Sequence, residues 1–163
     1  MWFDLTVYFS DSPFVDIERL PLSRLKLPIS VRYNYFISDQ FILRTYYRYY
    51  QDDFGIKAHT ASIELPIKIN SSFSISPFFR YHTQQGASYF APFKTHLSTE
   101  RYYSSDYDLS TLDSKHFGLA FGYYPVYGIV HKNVLDRQMA FKSIEFRTAY
   151  YIRSTGLNAF IGS

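Results

Sequence analysis

LPISVRYNYFI at residues 27–37 and TASIELPIKI at residues 60–69 are the stretches that decide the fold. In both, apolar and polar side chains alternate with a period of two, which predicts β-strands with two unlike faces. In the second stretch, one face would carry Ala61, Ile63, Leu65, Ile67 and Ile69, and the other Thr60, Ser62, Glu64 and Lys68. A strand with this pattern separates an apolar environment from a polar one.

The same alternation returns along the chain. It covers residues 41–50, 73–82, 117–123 and 144–153, and shorter runs begin near residues 2 and 157. Most runs are about 10 residues long, the length that a tilted strand needs to cross a bilayer and about twice the globular average. We therefore predict an all-β fold, an antiparallel transmembrane β-barrel with about eight strands visible. Residues 1–163 would form one domain, the C-terminal portion of a longer barrel.

The composition agrees with a barrel. The chain has 17 Tyr and 16 Phe in 163 residues, yet its mean hydropathy is only −0.19. Alternation hides the apolar surface of a membrane barrel, whose aromatic residues form girdles at the two interfaces. The predicted girdles comprise Tyr46, Tyr47, Tyr49, Tyr50, Tyr150 and Tyr151 at one level, and Tyr33, Tyr35, Phe36, Phe41, Tyr123 and Tyr124 at the other.

Charge and cysteine content limit the chemistry. There is no cysteine, so disulfides and thiol catalysis are excluded, and the net charge of +3 is too small to indicate nucleic-acid binding. We expect a location in the bacterial outer membrane, with membrane lipid and lipopolysaccharide as partners. The sequence indicates neither a cofactor nor a metal.

Connection lengths predict an orientation. The turns at 38–40 and 70–72 are short, and the connections at 51–57 and 85–114 are longer. Short turns face the periplasm in outer-membrane barrels and long loops face outside, which makes Asp52, Asp53, Gly55, Asp106 and Asp108 extracellular. Asp52 and Asp53 are interpreted as caps of a tight turn with Gly55 at positive φ, the alternative being a cation site with His59. The loop that contains Asp106, Asp108 and Asp113 lacks the Gly and the Glu that a helix-loop-helix calcium site requires.

The polar face of the strands is predicted to line the lumen. It carries Arg32, Arg44, Arg48, Lys68, Arg80, Arg147 and Arg153, accompanied by His82, Glu64 and Glu145. One interpretation is a passage that favours anions. The other is a closed plug of salt bridges and tyrosine hydroxyls.

Support for catalysis is weak. The histidines are scattered, and the sequence contains no motif for a nucleophilic serine. His82 is the best candidate for the histidine of a Ser-His-Asp assembly. We therefore expect a protein that is not an enzyme and that serves passage, docking or scaffolding. The alternatives are an outer-membrane enzyme acting on lipid or envelope substrates, and a soluble β-sandwich or lipocalin-like binding protein.

Several segments resemble a known bacterial family. The most specific is YYRYYQDDFGIKAHT at residues 46–60, and similarity extends over 18–24, 76–81, 87–92, 102–110 and 153–158. The chain is similar to a family of unknown function, common in Bacteroidota and Proteobacteria and predicted to form outer-membrane barrels. The resemblance implies a fold and a location rather than an activity. It also implies a signal peptide and further strands upstream, and a periplasmic or lipoprotein partner.

Overall fold

The structure, a computed structural model, describes residues 5–134 and 137–163, with the backbone alone over residues 130–141. It consists of antiparallel strands and one short 3-10 helix, Tyr107–Leu109. The strands are β1 (Thr6–Tyr8), β2 (Val15–Ile17), β3 (Lys26–Phe36), β4 (Ile42–Asp52), β5 (Lys57–Glu64), β6 (Ile67–Lys68), β7 (Phe73–Gln85), β8 (Leu112–Tyr123), β9 (Val130–Val134), β10 (Arg137–Phe141), β11 (Ile144–Arg153) and β12 (Asn158–Gly162).

One sheet contains the long strands. Its order is β12-β11-β8-β7-β5-β4-β3, and β6 pairs with β7 beside this path. Neighbours in sequence are mostly neighbours in the sheet, because short turns join antiparallel strands. The prediction of an all-β antiparallel fold is confirmed. Over the described residues the sheet is open, with β12 and β3 at its two ends, so closure into a transmembrane barrel stays a prediction.

Two small hairpins lie outside this sheet. β1 pairs with β2, Val7 opposite Asp16, and β9 pairs with β10. The expected strand over residues 2–9 is shorter, Thr6–Tyr8, and residues 1–4 lie outside the described residues. The period-two pattern did not indicate β2, β9 or β10, because each has only three to five residues.

The predicted strand over residues 60–69 is wrong in its extent. Pairing stops after Glu64 and resumes at Ile67. Pro66 has no N–H to donate to a ladder. Its carbonyl still accepts the Ile42 N–H at 3.1 Å, and the Leu65 N–H donates to the Pro77 carbonyl at 3.0 Å. The chain therefore keeps its course across the break.

The chain divides into two compact units. Unit 1 comprises Met1–Ser30, Arg48–Thr60 and His82–Asp113, and unit 2 comprises Val31–Tyr47, Ala61–Tyr81 and Ser114–Ser163. Unit 1 contains two small apolar clusters. Val7, Phe9 and Tyr103 form the first. Phe54, Ile56 and Ala87 form the centre of the second.

Unit 2 has no comparable cluster among its described residues. Many of its large apolar side chains are exposed instead, for example Val31 at 63% and Phe146 at 53%. No helix in the described part of the chain is both long enough and apolar enough to cross a membrane.

Candidate functional site: an apolar outer face and a basic inner face

Burial along β8 and β5 is the reverse of that in a water-soluble sheet. In β8, Phe117, Leu119 and Phe121 are exposed, whereas Ala120 between them is only 3% exposed. In β5, Thr60 is 1% exposed and Ile63 is 46% exposed. We call the face that carries the exposed apolar side chains the outer face, and the opposite one the inner face. A soluble antiparallel sheet would bury its apolar face and expose its polar one.

The outer face is continuous from β8 across β11 to β12. Phe121 lies opposite Phe146 in the ladder. The rings of Phe117 and Tyr150 are 5.8 Å apart in an edge-to-face arrangement, and the ring of Phe160 follows 5.5 Å from that of Tyr150. Aromatic pairs at these distances stabilise a sheet. Here they do so although Phe117 and Phe160 are exposed.

A shallow apolar groove of about 380 Å³ marks another part of the outer face. Its lining comes mainly from the strands around β4, with Val31, Tyr33, Tyr47, Ile63 and Phe79 as its large side chains. Near the turn end of β8, the rings of Phe73 and Tyr123 stack 4.7 Å apart. Aromatic pairs therefore lie at both ends of the outward run of β8, and Leu119 lies between them.

The inner face holds a chain of ion pairs. Arg44 Nη1 lies 3.3 Å from Glu64 Oε1, and Arg147 Nη2 lies 3.6 Å from Glu64 Oε2. The same Arg147 nitrogen is 3.7 Å from Glu145 Oε1. The guanidinium group of Arg147 also lies 4.8 Å from the centre of the Phe78 ring. Four of the residues predicted to share this face therefore contact one another.

Small residues make room for these charges. In the ladder of β8 and β11, Ala120 lies opposite Arg147 and Gly122 opposite Glu145. A Cβ atom at Gly122 would come within 2.7 Å of Ser74 Oγ and 2.3 Å of the Tyr124 ring. Gly and Ala therefore alternate with Phe and Leu in β8 because the inner face has little room for larger side chains.

The predicted lumen residues Arg32, Arg80 and Lys68 are not part of this chain of ion pairs. The guanidinium group of Arg32 lies 5.7 Å from the centre of the Tyr46 ring. Arg32 and Arg80 line a cavity of about 600 Å³, and Lys68 lines a neighbouring one of about 580 Å³. Arg153 is half-buried at the end of β11.

The two predicted lumen residues of unit 1 are half-buried. Arg48 Nε has no hydrogen-bond partner among the described residues. The side chain of His82 is placed by Thr60, whose Oγ1 lies 2.9 Å from His82 Nδ1. Threonine rather than serine therefore holds this imidazole nitrogen.

The predicted extracellular turn of unit 1 is built around Asp52. Its buried carboxylate accepts hydrogen bonds from the N–H groups of Phe54 at 3.1 Å and Ile56 at 3.0 Å, from the Tyr50 hydroxyl at 2.8 Å and from Arg24. Gly55 has a φ of 89°, a conformation open to glycine at little cost.

The other extracellular candidates have backbone partners as well. The exposed Asp53 accepts the Leu25 N–H at 3.0 Å. Asp106 Oδ1 accepts the Asp108 N–H at 2.8 Å and so caps the 3-10 helix. His59 lies beside the Tyr49 ring. Across the described residues, no group of three or more acidic, His or Cys side chains is arranged to hold a metal ion.

The 85–114 connection contains interactions that the sequence did not indicate. The Tyr103 hydroxyl donates to Asp16 Oδ2 at 2.7 Å. This bond lowers the pKa of Asp16, and burial, helped by the nearby carboxylate, raises the pKa of Tyr103. The Ser98 N–H donates to Asp11 at 2.9 Å and lowers the pKa of that carboxyl group.

A buried histidine lies at the centre of the same connection. His96, 2% exposed, has Nδ1 2.6 Å from Glu100 Oε2 and Nε2 2.9 Å from the Ser104 carbonyl oxygen. The Ser104 hydroxyl donates to Glu18. Glu18 and Ser104 are 86 positions apart, so no local pattern could have revealed this contact.

Comparison with known proteins gives one match. A family model described as a protein of unknown function, DUF3570, matches residues 3–155. Searches of curated proteins and of solved structures found nothing similar.

Proposed function

For this chain, which belongs to the DUF3570 family of unknown function, we propose that its strands are part of a transmembrane β-barrel in the bacterial outer membrane. The outer face would contact lipid, and the inner face would line the lumen. Its role there would be passage, docking or scaffolding. The proposal contains no catalytic step.

The exposed apolar face of the strands is the observation that carries the proposal. Soluble monomers rarely expose contiguous apolar patches larger than about 300–600 Å². Here the exposed apolar side chains recur on alternate residues of successive strands, among them Leu27, Ile29, Val31, Ile63, Phe79, Phe117, Leu119, Phe121, Ile144 and Phe146. Lipid tails are an environment in which such a face is stable, because burial of apolar area is favourable by about 25 cal/mol per Å².

Strand length supports the same proposal. β3 and β4 have 11 residues, β7 has 13, β8 has 12 and β11 has 10. A membrane strand tilted by about 45° needs about 9–11 residues. Soluble strands average about 5–6 residues.

Membrane lipid and lipopolysaccharide are the partners that this geometry suits. Lipid tails match the apolar outer face, and lipopolysaccharide would lie beside the loops of unit 1. A periplasmic or lipoprotein partner is the further candidate that the docking role would require.

The experiment compares folding with and without lipid. The chain is diluted from urea into vesicles of a short-chain phosphatidylcholine or into buffer alone, then floated on a density gradient after a carbonate wash. We expect β-structure, flotation and resistance to the wash with vesicles, and aggregation in buffer. A monodisperse, folded chain in detergent-free buffer that stays out of the vesicle fraction would contradict the proposal. Fractionation of cells expressing the chain with an export signal then tests the location, where recovery with outer-membrane porins is expected.

A further inference from the structure

The cavity of about 600 Å³ on the inner face of unit 2 is unusually basic. Three arginines, Arg32, Arg44 and Arg80, line it, and Glu64 is the one carboxylate among its lining residues. Asn34 and Ser62 add neutral polar groups. The cavity is therefore polar and cationic, in contrast to the apolar groove on the outer face.

Glu64 is already engaged by two guanidinium groups. One carboxylate oxygen lies 3.3 Å from Arg44 and the other 3.6 Å from Arg147, which also contacts Glu145. The guanidinium groups of Arg44 and Arg147 therefore share the two carboxylates of Glu64 and Glu145. Little of the negative charge of Glu64 is left to compensate further cations.

Arg32 and Arg80 are the cations that remain. In the part of the chain that the structure describes, neither guanidinium group lies within 4.0 Å of a carboxylate oxygen. The contact of Arg32 with Tyr46 is made to the aromatic ring, 5.7 Å from Cζ to the ring centre, and not to a hydrogen-bond acceptor. A cavity lined by one sign of charge concentrates the opposite ion, because low-dielectric walls focus the field.

We propose that this cavity binds a soluble oxyanion, a phosphate, sulfate or carboxylate group, through the guanidinium groups of Arg32 and Arg80. Arginine N–H groups form a planar fork that matches two oxygens of such an anion. The proposal rests on the proposed function, because it assigns the cavity to the lumen of the barrel and names the class of solute that the lumen would favour.

The probe is inorganic phosphate, titrated at constant ionic strength against chloride. Binding is measured by calorimetry on the folded chain in detergent micelles. Arg80→Gln removes one proposed ligand and is expected to weaken phosphate binding by about tenfold or more, because a charge-assisted hydrogen bond is lost. Arg80→Lys keeps the charge and loses the fork, so its affinity should fall between the two.

Two further variants complete the test. Arg101→Gln is the matched control, because Arg101 is an exposed arginine of unit 1 in contact with the Tyr102 ring; its phosphate affinity should equal that of the parent chain. Glu64→Gln releases Arg44 and Arg147 and should tighten phosphate binding several-fold. Circular dichroism establishes that each variant is folded. Unchanged binding in Arg80→Gln, equal losses in Arg80→Gln and Arg101→Gln, or weaker binding in folded Glu64→Gln would overturn the proposal.

The test separates this site from the proposed function. If the chain folds in buffer without detergent, the barrel proposal fails, and the same titration can still be performed in that buffer. If the chain inserts into vesicles and phosphate fails to bind, the oxyanion site alone is wrong.

Discussion

Replacing Leu119 by arginine is the perturbation that best separates a lipid-facing sheet from a soluble one. Leu119 lies in the middle of the outward run of β8 and is 37% exposed. In a soluble sheet, arginine at a position this exposed reaches water and changes stability by no more than about 0.5 kcal/mol. At the centre of a bilayer, the same guanidinium group faces hydrocarbon.

The expected magnitude follows from the position. A basic residue on the lipid face of a barrel costs about 2–4 kcal/mol at the bilayer midplane and about 0–1 kcal/mol near the interfaces. Leu119 lies between the Phe117–Tyr150 pair and the Phe73–Tyr123 pair, so the upper range applies.

The assay is reversible urea unfolding of the chain in phosphatidylcholine vesicles, with folding measured by circular dichroism and by the mobility of unboiled samples on gels. Leu97→Arg is the matched control. Leu97 is 47% exposed, in the 85–114 connection of unit 1, which we place outside the bilayer. We expect Leu119→Arg to lower the free energy of unfolding by about 2–4 kcal/mol, which corresponds to a roughly 30-fold to almost 1000-fold change in the folding equilibrium. For Leu97→Arg we expect a change within about 0.5 kcal/mol.

Two results would refute this reasoning. If Leu119→Arg and Leu97→Arg have the same small effect, the outer face is not in contact with lipid. If Leu119→Arg raises the solubility of a folded chain in buffer, the outer face is accessible to water and not to lipid. In that case a soluble binding protein becomes the better interpretation.

Four further substitutions test the local structure. Asp16→Asn should remove a pH dependence: the Asp16 pKa is lowered in the folded chain, so its stabilisation is present above its usual pKa of 3.8 and is lost as the pH falls through the lowered value. Melting temperatures between pH 2 and 7 check this, and the variant should show a smaller decrease in acid than its parent. Asp52→Ala should lower the free energy of unfolding in urea by about 3 kcal/mol, since it leaves the Arg24 charge and two turn N–H groups without their acceptor. Its control, Asp53→Asn at an exposed site, should cost about 0.5 kcal/mol or less. Gly118→Ala should cost about 1–3 kcal/mol in the same assay, because its Cβ would lie 2.1 Å from the Thr148 carbonyl oxygen.

The face assignment of the strands was predictable because alternation is a local property. Ile63 and Leu119 follow the period of two, and the structure exposes both. The bounds of β3 and β11 also agree with the sequence prediction to within about one residue. The break at Pro66 was within reach as well, because a proline inside a run that reads as a strand argues against a continuous ladder.

The contacts of the inner face needed the fold. Alternation places Arg44, Glu64 and Arg147 on one face but says nothing about which strands are neighbours or about their register. The structure brings Glu64 within ion-pair distance of both arginines. The choice between a passage for anions and a plug of salt bridges therefore cannot be made from the count of charges alone.

The unit 1 connection shows the same limit more sharply. Tyr103 and Asp16 are 87 positions apart and joined by a hydrogen bond. In the sequence, residues 85–114 have no period and read as an irregular loop. Irregular backbone has polar groups that no ladder satisfies, so they must find side-chain or water partners. Buried His96 and Ser104 meet this requirement: His96 Nε2 lies 2.9 Å from the Ser104 carbonyl oxygen, and the Ser104 hydroxyl accepts the Asp106 N–H. A docking role for this protein would use the exposed residues of this connection, and a passage role would use the arginines of the inner face.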